Sequence, residues 1–558
     1  MNPNGKALRW IWDVSGKAKR HVYMLIAVKV LYSLTGVLYA LLLQQVVDSA
    51  TGAINKSLWV SLSYFAGLIL LILLSQALIR YFSEKAKAHL EKKFRERLFS
   101  QLLSRGYADI CATHTGEWMN RMTSDVTVVV NATTQIVPDL SGSIVRILSA
   151  TAALAVMMPG LVLALLAGGI GIALISLLFR KKLKSYHGII QRADGKVRSF
   201  IQECLMGLPV IHSFNREKGM QESASELMQE HVNARMKRTR FVNFCNVVIS
   251  SAMQCAHFLG VALCGWMILA RRITYGSMSA ILHLVGQLES PLAGISKFIP
   301  QYYGMISSAE RLMEPETYIA DAEKEPKKAD EIQRFYQNDF AALRLNNVSF
   351  SYRDNADNKV LDRVSFTLKK GLSVAVTGQS GCGKSTLLKI LLGLYKTNEG
   401  EILLDTVSGE NIALDTAYRS LFAYVPQGNL LFSGTVREML AFSDKTLMYD
   451  DEKLWNALRV AAADDIILQR PEGLDTVLGE GGRGFSEGQI QRLAIARAIL
   501  FERPILLFDE ATSSLDEDTE RKVLRNIKEM TGYTVILVTH KEASREACDL
   551  RLDLYGKK

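Results

Sequence analysis

Long apolar segments without a charged residue constrain what the first half of this 558-residue chain can fold into. The charge-free runs are residues 30–47, 57–79, 147–179 and 241–270. A fifth apolar region, residues 273–303, is interrupted only by Glu289 and Lys297. A helix needs about 20 apolar residues to cross the hydrocarbon core of a bilayer. The sequence therefore predicts a membrane α-helical bundle.

The third apolar run is too long for one helix and contains a turn signal. Pro159 and Gly160 divide it, and the part before them is too short to span a bilayer unless its helix extends back past Arg146. This division predicts six transmembrane helices, near residues 22–47, 57–80, 138–158, 160–180, 241–268 and 277–300.

The distribution of Lys and Arg orients these helices. Basic residues concentrate in the N-terminal segment and in residues 81–136 and 180–240, whereas the opposite side carries only Lys56, Arg271 and Arg272. Cytoplasmic loops carry the excess of Lys and Arg, so the basic segments are expected in the cytoplasm.

The two long basic segments are too extended to be simple loops. Their dense mixed charge and their i,i+4 partners predict helices that extend the bundle into the cytoplasm. Each segment is expected to turn back on itself, near residues 112–116 and near residues 207–214, where Pro209 interrupts the pattern.

Composition excludes several other classes of protein. The chain is 49% hydrophobic, which is too apolar for a disordered protein, and its formal charge of +10 arises in the first half, because residues 319–558 are net acidic. Basic residues spread along apolar segments do not make a nucleic-acid-binding face. The seven cysteines form neither a CxxC pair nor a Cys/His cluster, which argues against a zinc site or a disulfide framework.

The second half carries a phosphate-binding motif. A predicted strand, residues 373–377, is followed by Gly378-Gln379-Ser380-Gly381-Cys382-Gly383-Lys384-Ser385, which fits GxxxxGK[ST]. Glycines let successive N–H groups surround phosphate oxygens, and the helix beginning at Thr386 adds its positive end. We expect Lys384 to reach the β- and γ-phosphates and Ser385 to contact Mg²⁺. We call residues 378–386 the phosphate loop.

Two further strands end in residues with acid–base chemistry. The buried run 505–508 precedes Asp509 and Glu510, and the run 534–539 precedes His540. An acid at the end of a parallel strand can hold Mg²⁺, and a neighbouring carboxylate can polarise an attacking water. Taken singly, the acidic pair also fits a helix-capping turn, and a lone histidine here also fits a structural role.

In this order, the motifs resemble those of ATP-binding cassette (ABC) exporter half-transporters. Tyr352 resembles the aromatic residue that stacks on adenine, and Gln427 resembles the glutamine that links Mg²⁺ and the attacking water to the membrane domain. Residues 485–489 (Phe-Ser-Glu-Gly-Gln) resemble the family's signature, with Phe485 and Glu487 departing from the usual Leu-Ser-Gly-Gly-Gln. We call residues 485–489 the signature segment, and residues 513–516, which resemble the loop that follows the acidic pair in the family, the D-loop.

The resemblance implies a division of the chain into three parts. Residues 1–318 would form the transmembrane domain with its cytoplasmic coupling arms, residues 319–340 a linker, and residues 341–558 an ABC nucleotide-binding domain, an α/β P-loop NTPase fold.

The resemblance also implies roles for the site residues. Glu510 would be the general base, His540 would contact the γ-phosphate, and Ser385, Gln427 and Asp509 would hold Mg²⁺. The implied contacts with a partner's ATP come from Ser486, Gly488 and Gln489 of the signature segment. Ser514 and Asp516 of the D-loop would belong to the dimer contact. Because no catalytic position is degenerate, the resemblance favours a homodimer, and a heterodimer with a degenerate partner is the alternative.

The function implied is ATP-driven export of an amphipathic drug, lipid or peptide by alternating access, with ATP and Mg²⁺ as cofactors and no nucleic acid as a partner. An importer on the same fold, for example of metal chelates, and an ATP-gated channel-like protein are the alternatives. The expected location is a bacterial inner membrane, with the N-terminus and the nucleotide-binding domain in the cytoplasm.

Ionisable residues within the predicted spans are candidates for the substrate cavity, because charge inside a membrane is costly. These residues are Glu289, Arg146 and His257. One hypothesis places Glu289 in the cavity, where it would favour cationic or amphipathic substrates. The alternative is a packing pair of Glu289 with Arg146 or with a histidine.

Overall fold

The computed structural model describes residues 3–321, 325–352, 359–428, 431–530 and 532–554. The chain forms two compact units. The first comprises residues 1–99 and 116–314, and the second comprises residues 100–115 and 315–558. The sequence-based boundaries 1–318, 319–340 and 341–558 stay a prediction.

Long helices dominate the N-terminal part of the chain. In chain order they are α1 (Pro3–Ser15), α2 (Lys19–Ala50), α3 (Leu58–Ser104), α4 (Tyr107–Cys111), α5 (Thr115–Asn120), α6 (Val126–Met157), α7 (Pro159–Met206), α8 (Leu208–Ser213), α9 (Glu217–Leu269) and α10 (Tyr275–Met313). To within one residue, each predicted span lies within one long helix, and Pro159 begins α7 as its position in the apolar run predicted. The predicted breaks in the cytoplasmic arms are also present, on either side of α8 and between α4 and α5.

Four helical stretches in the described part of the chain are long and apolar enough to cross a membrane. They are Gly5–Ala50, Leu58–Ser104, Thr115–Met157 and Glu217–Leu269. The two other predicted spans, 160–180 and 277–300, fall on α7 and α10, where many side chains lie outside the described residues. The number of six spans therefore stays a prediction.

Small and branched residues form the core of the first unit. Ala40 on α2, Ala150 and Leu154 on α6, and Ile281 and Leu284 on α10 are fully buried in one cluster. The small residues let these helices approach closely, which is how helices pack inside a bilayer.

An ion pair joins α2 to α6 in the first unit. Lys29 Nζ contacts Asp139 Oδ1, and the two side chains are 18% and 30% exposed. Since an isolated charge within a spanning helix is costly, each member of the pair compensates the other.

The second unit is built on strands. In chain order they are β1 (Phe340–Phe350), β2 (Leu361–Lys369), β3 (Ser373–Gly378), β4 (Glu399–Thr406), β5 (Asn411–Ala413), β6 (Phe422–Val425), β7 (Gly434–Thr435), β8 (Val477–Leu478), β9 (Ile505–Asp509), β10 (Thr534–Val538) and β11 (Leu550–Leu554). Its later helices are α11 (Ala329–Arg334), α12 (Lys384–Leu391), α13 (Val436–Leu440), α14 (Asp451–Val460), α15 (Asp464–Leu468), α16 (Glu487–Leu500), α17 (Glu517–Glu529) and α18 (Glu542–Glu546).

A parallel sheet, in the order β11-β3-β10-β9-β6, forms the centre of this unit, and an antiparallel sheet has the order β2-β1-β4-β5. Ile505 and Leu507 of β9 belong to the core that includes the antiparallel sheet, whereas Leu506 and Phe508 belong to the core formed with α14, α16 and α17. Burial on both faces explains why these strands are continuous apolar runs in the sequence.

The register of the parallel strands brings their carboxyl ends level. Val538 of β10 pairs with Val376 of β3 on one side and with Asp509 of β9 on the other, and Phe508 pairs with Val425 of β6. The loops that leave these four strands therefore begin at one edge of the sheet, where ligands bind in open α/β sheets.

Residues 100–115 belong to the second unit. Backbone hydrogen bonds attach this segment to the chain after α10, from Asp321 N to Ser104 O at 3.0 Å and from Gly106 N to Ile319 O at 2.9 Å. The tip of the first cytoplasmic arm, α4, is thereby fixed to the unit that contains the phosphate loop.

Candidate functional site

The phosphate loop connects β3 to α12. Gly383 immediately precedes α12 with a φ of +99°, and a Cβ atom there would lie 2.8 Å from Leu361 Cδ2, so only glycine fits. Lys384 is 6% exposed, and its Nζ donates to Gly378 O and to Gln379 O at 3.0 Å each. Among the described residues no carboxylate pairs with Lys384, so its charge is available to an anion held in the loop.

The other loop residues divide into an exposed rim and a buried base. Gln379, Ser380 and Gly381 are exposed, whereas Cys382 is 5% exposed and packs into the core beside β3. The position of the Cys382 thiol is that of a small space-filling residue.

Asp509 ends β9 and is 1% exposed. Ser385 Oγ donates to its Oδ1 at 2.8 Å and the Tyr424 hydroxyl donates to its Oδ2 at 3.2 Å. Burial raises the pKa of Asp509 above its ordinary value, and these two hydrogen bonds oppose that rise. Burial also raises the pKa of Tyr424, with the neighbouring Asp509 charge adding to the effect.

The oxygens of Ser385 and Asp509 are of the kind that Mg²⁺ prefers. Mg²⁺ is commonly bound by one or two carboxylates together with substrate phosphates, and it needs no cage made wholly of protein ligands. In the part of the chain that the structure describes, no group of three or more His, Cys, Asp or Glu side chains forms such a cage. A buried carboxylate beside a hydroxyl fits the first arrangement.

Glu510 has a backbone conformation that is uncommon for a residue with a side chain, with a φ of +51°. Its Oε2 accepts a hydrogen bond from Gln427 Nε2 at 2.8 Å, and its Oε1 lies 3.3 Å from His540 Nε2. These three residues come from the loops after β9, β6 and β10. Strained backbone of this kind clusters at functional sites. The arrangement presents a partly exposed carboxylate, oriented from two sides, that can accept a proton from a water molecule.

The signature segment is the N-terminal cap of α16. Ser486 Oγ accepts a hydrogen bond from Gln489 N at 3.4 Å, and Gln489 Oε1 accepts one from Ser486 N at 3.0 Å, which together form a capping box. The start of a helix attracts anions through its N–H groups and its dipole. Among the described residues no hydrogen bond joins the signature segment to the phosphate loop of the same chain.

The D-loop lies against the helix that the signature segment begins. A Cβ atom on Gly488 would lie 2.9 Å from Ser514 O, so glycine permits this close approach. Gln491 Oε1 accepts a hydrogen bond from Ser514 N at 3.0 Å, and Asp516 caps α17 by accepting one from Thr519 N at 3.0 Å. These contacts fix the D-loop and the signature segment to one another.

An aromatic cluster lies beside the phosphate loop. The Tyr352 hydroxyl is 2.9 Å from Thr386 Oγ1, and its ring packs edge-on against Tyr395 with centroids 5.5 Å apart. Tyr395 in turn packs edge-on against Tyr107 of α4 at 5.7 Å. Burial and the neighbouring Cys111 raise the pKa of Tyr107 to about 12. The sequence motifs indicated Tyr352 but not Tyr395 or Tyr107, because these two tyrosines belong to no motif.

The structure describes two of the three predicted cavity residues. Arg146 is half-buried on α6, with its guanidinium 5.9 Å from the centre of the Tyr32 ring, and His257 is half-buried on α9. The Glu289 side chain lies outside the described residues, so the choice between a cavity position and a packing pair stays a prediction.

Comparison with known proteins matches both units of the chain. Residues 22–292 match the family described as "ABC transporter transmembrane region", and residues 361–513 match the family described as "ABC transporter". The ATP-dependent lipid A-core flippase of Pseudomonas fluorescens (strain Pf0-1) is 32% identical over 477 residues, which cover 85% of this chain and 77% of the flippase. The lipid A-core flippase of Haemophilus influenzae (strain 86-028NP) is 28% identical, with 92% and 86% covered.

A solved structure extends the likeness to the fold of nearly the whole chain. A bacterial Atm1-family ABC exporter with ATP bound superposes with a TM-score of 0.79 at 22% identity, covering 97% of this chain and 95% of that one. The chain belongs to the ABC transporters, as an exporter half-transporter in which the membrane region and the nucleotide-binding domain are fused. It is thus an ATP-hydrolysing transporter, as the ordered motifs predicted.

The aromatic cluster generates a prediction about ATP affinity. Replacing Tyr352 by Ala removes the ring to which the family resemblance assigns stacking on adenine, and we expect the Kd for ATP to rise between about 3-fold and about 10-fold, the effect of losing one aromatic pair. Tyr352→Phe, which keeps the ring and loses only the hydroxyl near Thr386, should bind ATP nearly as the wild type does. Titration of the full chain with a fluorescent ATP analogue measures both. Equal weakening in the two variants would contradict the stacking role.

Proposed function

We propose that a homodimer of this chain hydrolyses ATP at two shared sites and uses the energy to export a lipid-like amphipathic substrate. The observation that carries this proposal is the convergence of three loops on Glu510 at the edge of the sheet where the phosphate loop begins. Gln427 and His540 reach the two oxygens of its carboxylate, at 2.8 Å and 3.3 Å.

The phosphate loop supplies the binding contacts in this proposal. Its N–H groups and Lys384 bind the phosphates of ATP, and Tyr352 stacks on the adenine. Ser385, Gln427 and Asp509 would hold Mg²⁺, which when bound neutralises charge on the phosphate oxygens. The burial that raises the pKa of Asp509 supports this assignment, because a bound cation would offset the cost of its negative charge.

Hydrolysis then depends on the carboxylate beside the phosphate loop. The oxygen of a water molecule attacks the γ-phosphorus as its proton passes to Glu510, and the bond from the γ-phosphorus to the bridging oxygen breaks, releasing ADP. Gln427 orients the Glu510 carboxylate, and His540 contacts the γ-phosphate. An ATP-gated channel needs nucleotide binding more than hydrolysis, so the intact set of these three residues favours a pump.

The role of Glu510 is tested by removing only its basicity. We expect Glu510→Gln, purified in lipid, to bind ATP with wild-type affinity and to lose at least about 100-fold in turnover, the contribution typical of a general base. A phosphate-release assay measures turnover, and a fluorescent ATP analogue measures binding. The matched control is Glu542→Gln, which removes an acid from the exposed start of α18 and should hydrolyse ATP normally. Wild-type turnover in the Glu510 variant would contradict the assignment.

Exposed apolar surface on each unit supports the dimer. On the second unit, Phe432 and Phe442 stack with centroids 4.7 Å apart and are 60% and 55% exposed. On the first unit, the end of the second cytoplasmic arm exposes Met206, Val210 and Phe214. Surfaces of this kind mark interaction sites, and a second copy would cover them.

The shared site is tested by mixing two inactive chains. Lys384→Ala disables the phosphate loop, and Ser486→Arg disables the signature segment. If each site combines the phosphate loop of one chain with the signature segment of its partner, a mixed dimer has one intact site. The two variants are co-expressed with different tags, and mixed dimers are purified through both tags. We expect these mixed dimers to have a substantial part of the wild-type ATPase activity, whereas each variant alone has little. If each site lies within one chain, the mixed dimers stay inactive.

The substrate class rests on relatives and on the membrane helices. Several relatives are named ATP-dependent lipid A-core flippases, which favours a lipid over a drug or a peptide. The Lys29–Asp139 pair and Arg146 supply polar groups on α2 and α6 that could meet a polar head group. We propose the inner membrane of a bacterium as the location, with the nucleotide-binding unit in the cytoplasm. Import on the same fold is the alternative direction.

A further inference from the structure

A buried acidic residue lies behind the D-loop. Glu520, in the first turn of α17, is 0% exposed, and glutamate is rarely buried so completely unless it is paired. Its Oε1 accepts hydrogen bonds from Thr512 Oγ1 at 2.6 Å and from the Ser544 hydroxyl, and its Oε2 lies 3.4 Å from Lys541 Nζ. The reaction proposed above gives this carboxylate no role.

Lys541 connects this carboxylate to the loop that contains the D-loop. It directly follows His540, and its Nζ donates to Thr512 O at 3.0 Å and to Leu515 O at 2.6 Å. Among the described residues Glu520 Oε2 accepts no hydrogen bond, so its 3.4 Å contact with Lys541 Nζ is an ion pair between two charges in a buried place. A single side chain therefore binds both ends of the turn from residue 512 to residue 515.

The same turn is held from its other side by the signature helix. Gln491 of α16 accepts a hydrogen bond from Ser514 N at 3.0 Å and donates to Ser513 Oγ at 3.0 Å. A continuous set of contacts thus runs from the signature helix through the D-loop to Lys541, which is covalently adjacent to His540. Movement of the D-loop against a partner would be transmitted to His540 along this path.

We propose that Glu520 and Lys541 form a clamp that fixes His540 relative to the D-loop and so holds His540 beside Glu510. Both are positioning residues, since neither is placed to touch the nucleotide, and the inference rests on the proposed function of His540 and Glu510. The Glu520 carboxylate holds the Lys541 ammonium in place, and the ammonium holds the D-loop carbonyls.

The test uses the full chain in lipid and separates turnover from binding. Lys541→Met and Glu520→Gln should each lower kcat between about 10-fold and about 100-fold, the loss expected when a reacting group is misplaced. The KM for ATP should change by less than about twofold, because neither side chain is placed to touch the substrate. Lys541→Arg, which keeps a cation with several donors, should recover part of the lost kcat.

A double variant distinguishes a clamp from two separate defects. Because the two side chains act through one contact, Glu520→Gln/Lys541→Met should lose no more activity than the worse single variant. The matched control is Lys528→Met, which removes another lysine of this unit from a surface pair with Asp549 and should leave kcat and KM unchanged. If Glu520→Gln fails to fold, the two variants of the partly exposed Lys541 are sufficient to test the clamp.

Three results would overturn the clamp. The first is a wild-type kcat in Lys541→Met, and the second is a double variant whose fold-loss of kcat equals the product of the two single losses. The third is a rise in KM large enough to account for the lost activity. Glu510→Gln in the same assay distinguishes a failure of the clamp from a failure of the proposed function. If the wild type hydrolyses ATP and Glu510→Gln does not, a normal Lys541→Met contradicts the clamp alone. If the wild type shows no turnover either alone or with a partner chain, the proposed function itself is contradicted.

Discussion

The register of four parallel strands is the constraint on which the nucleotide site depends. Val376, Val538, Asp509 and Val425 lie near the ends of β3, β10, β9 and β6, and backbone pairing holds these ends level. The phosphate loop, His540, Glu510 and Gln427 follow within two residues of these positions. They therefore lie close together at one edge of the sheet. A shift of one residue in β9 would turn Asp509 to the opposite face of the sheet, because side chains alternate along a strand.

Features that depend on residues near one another in sequence could be predicted. The motif at Gly378–Ser385 specifies a loop and a helix start, and Ser486 of the signature motif caps α16, because turn and capping chemistry are local. The apolar runs that became β9 and β10 indicated burial on both faces. Pro159 marked the break between α6 and α7, since proline is favoured at the first turn of a helix.

Contacts between distant residues could not be predicted in the same way. The Tyr352–Tyr395–Tyr107 cluster, the Lys29–Asp139 pair and the Glu520–Lys541 clamp each join side chains far apart in the chain. Their residue types are common, and no spacing identifies them. Glu520 is the clearest case, because its sequence suggests an exposed helical acid and the fold buries it completely.

ATP-driven lipid movement is the central claim, and reconstituted liposomes test it most directly. Added ATP powers only those transporters whose nucleotide-binding units face outward, and the position of a fluorescent phospholipid is measured with a quencher that cannot cross the membrane. The account predicts that ATP moves lipid from the outer leaflet to the protected inner leaflet with the wild type and not with Glu510→Gln. Movement in the opposite direction, or ATP hydrolysis without any lipid movement, would contradict export of a lipid by this chain.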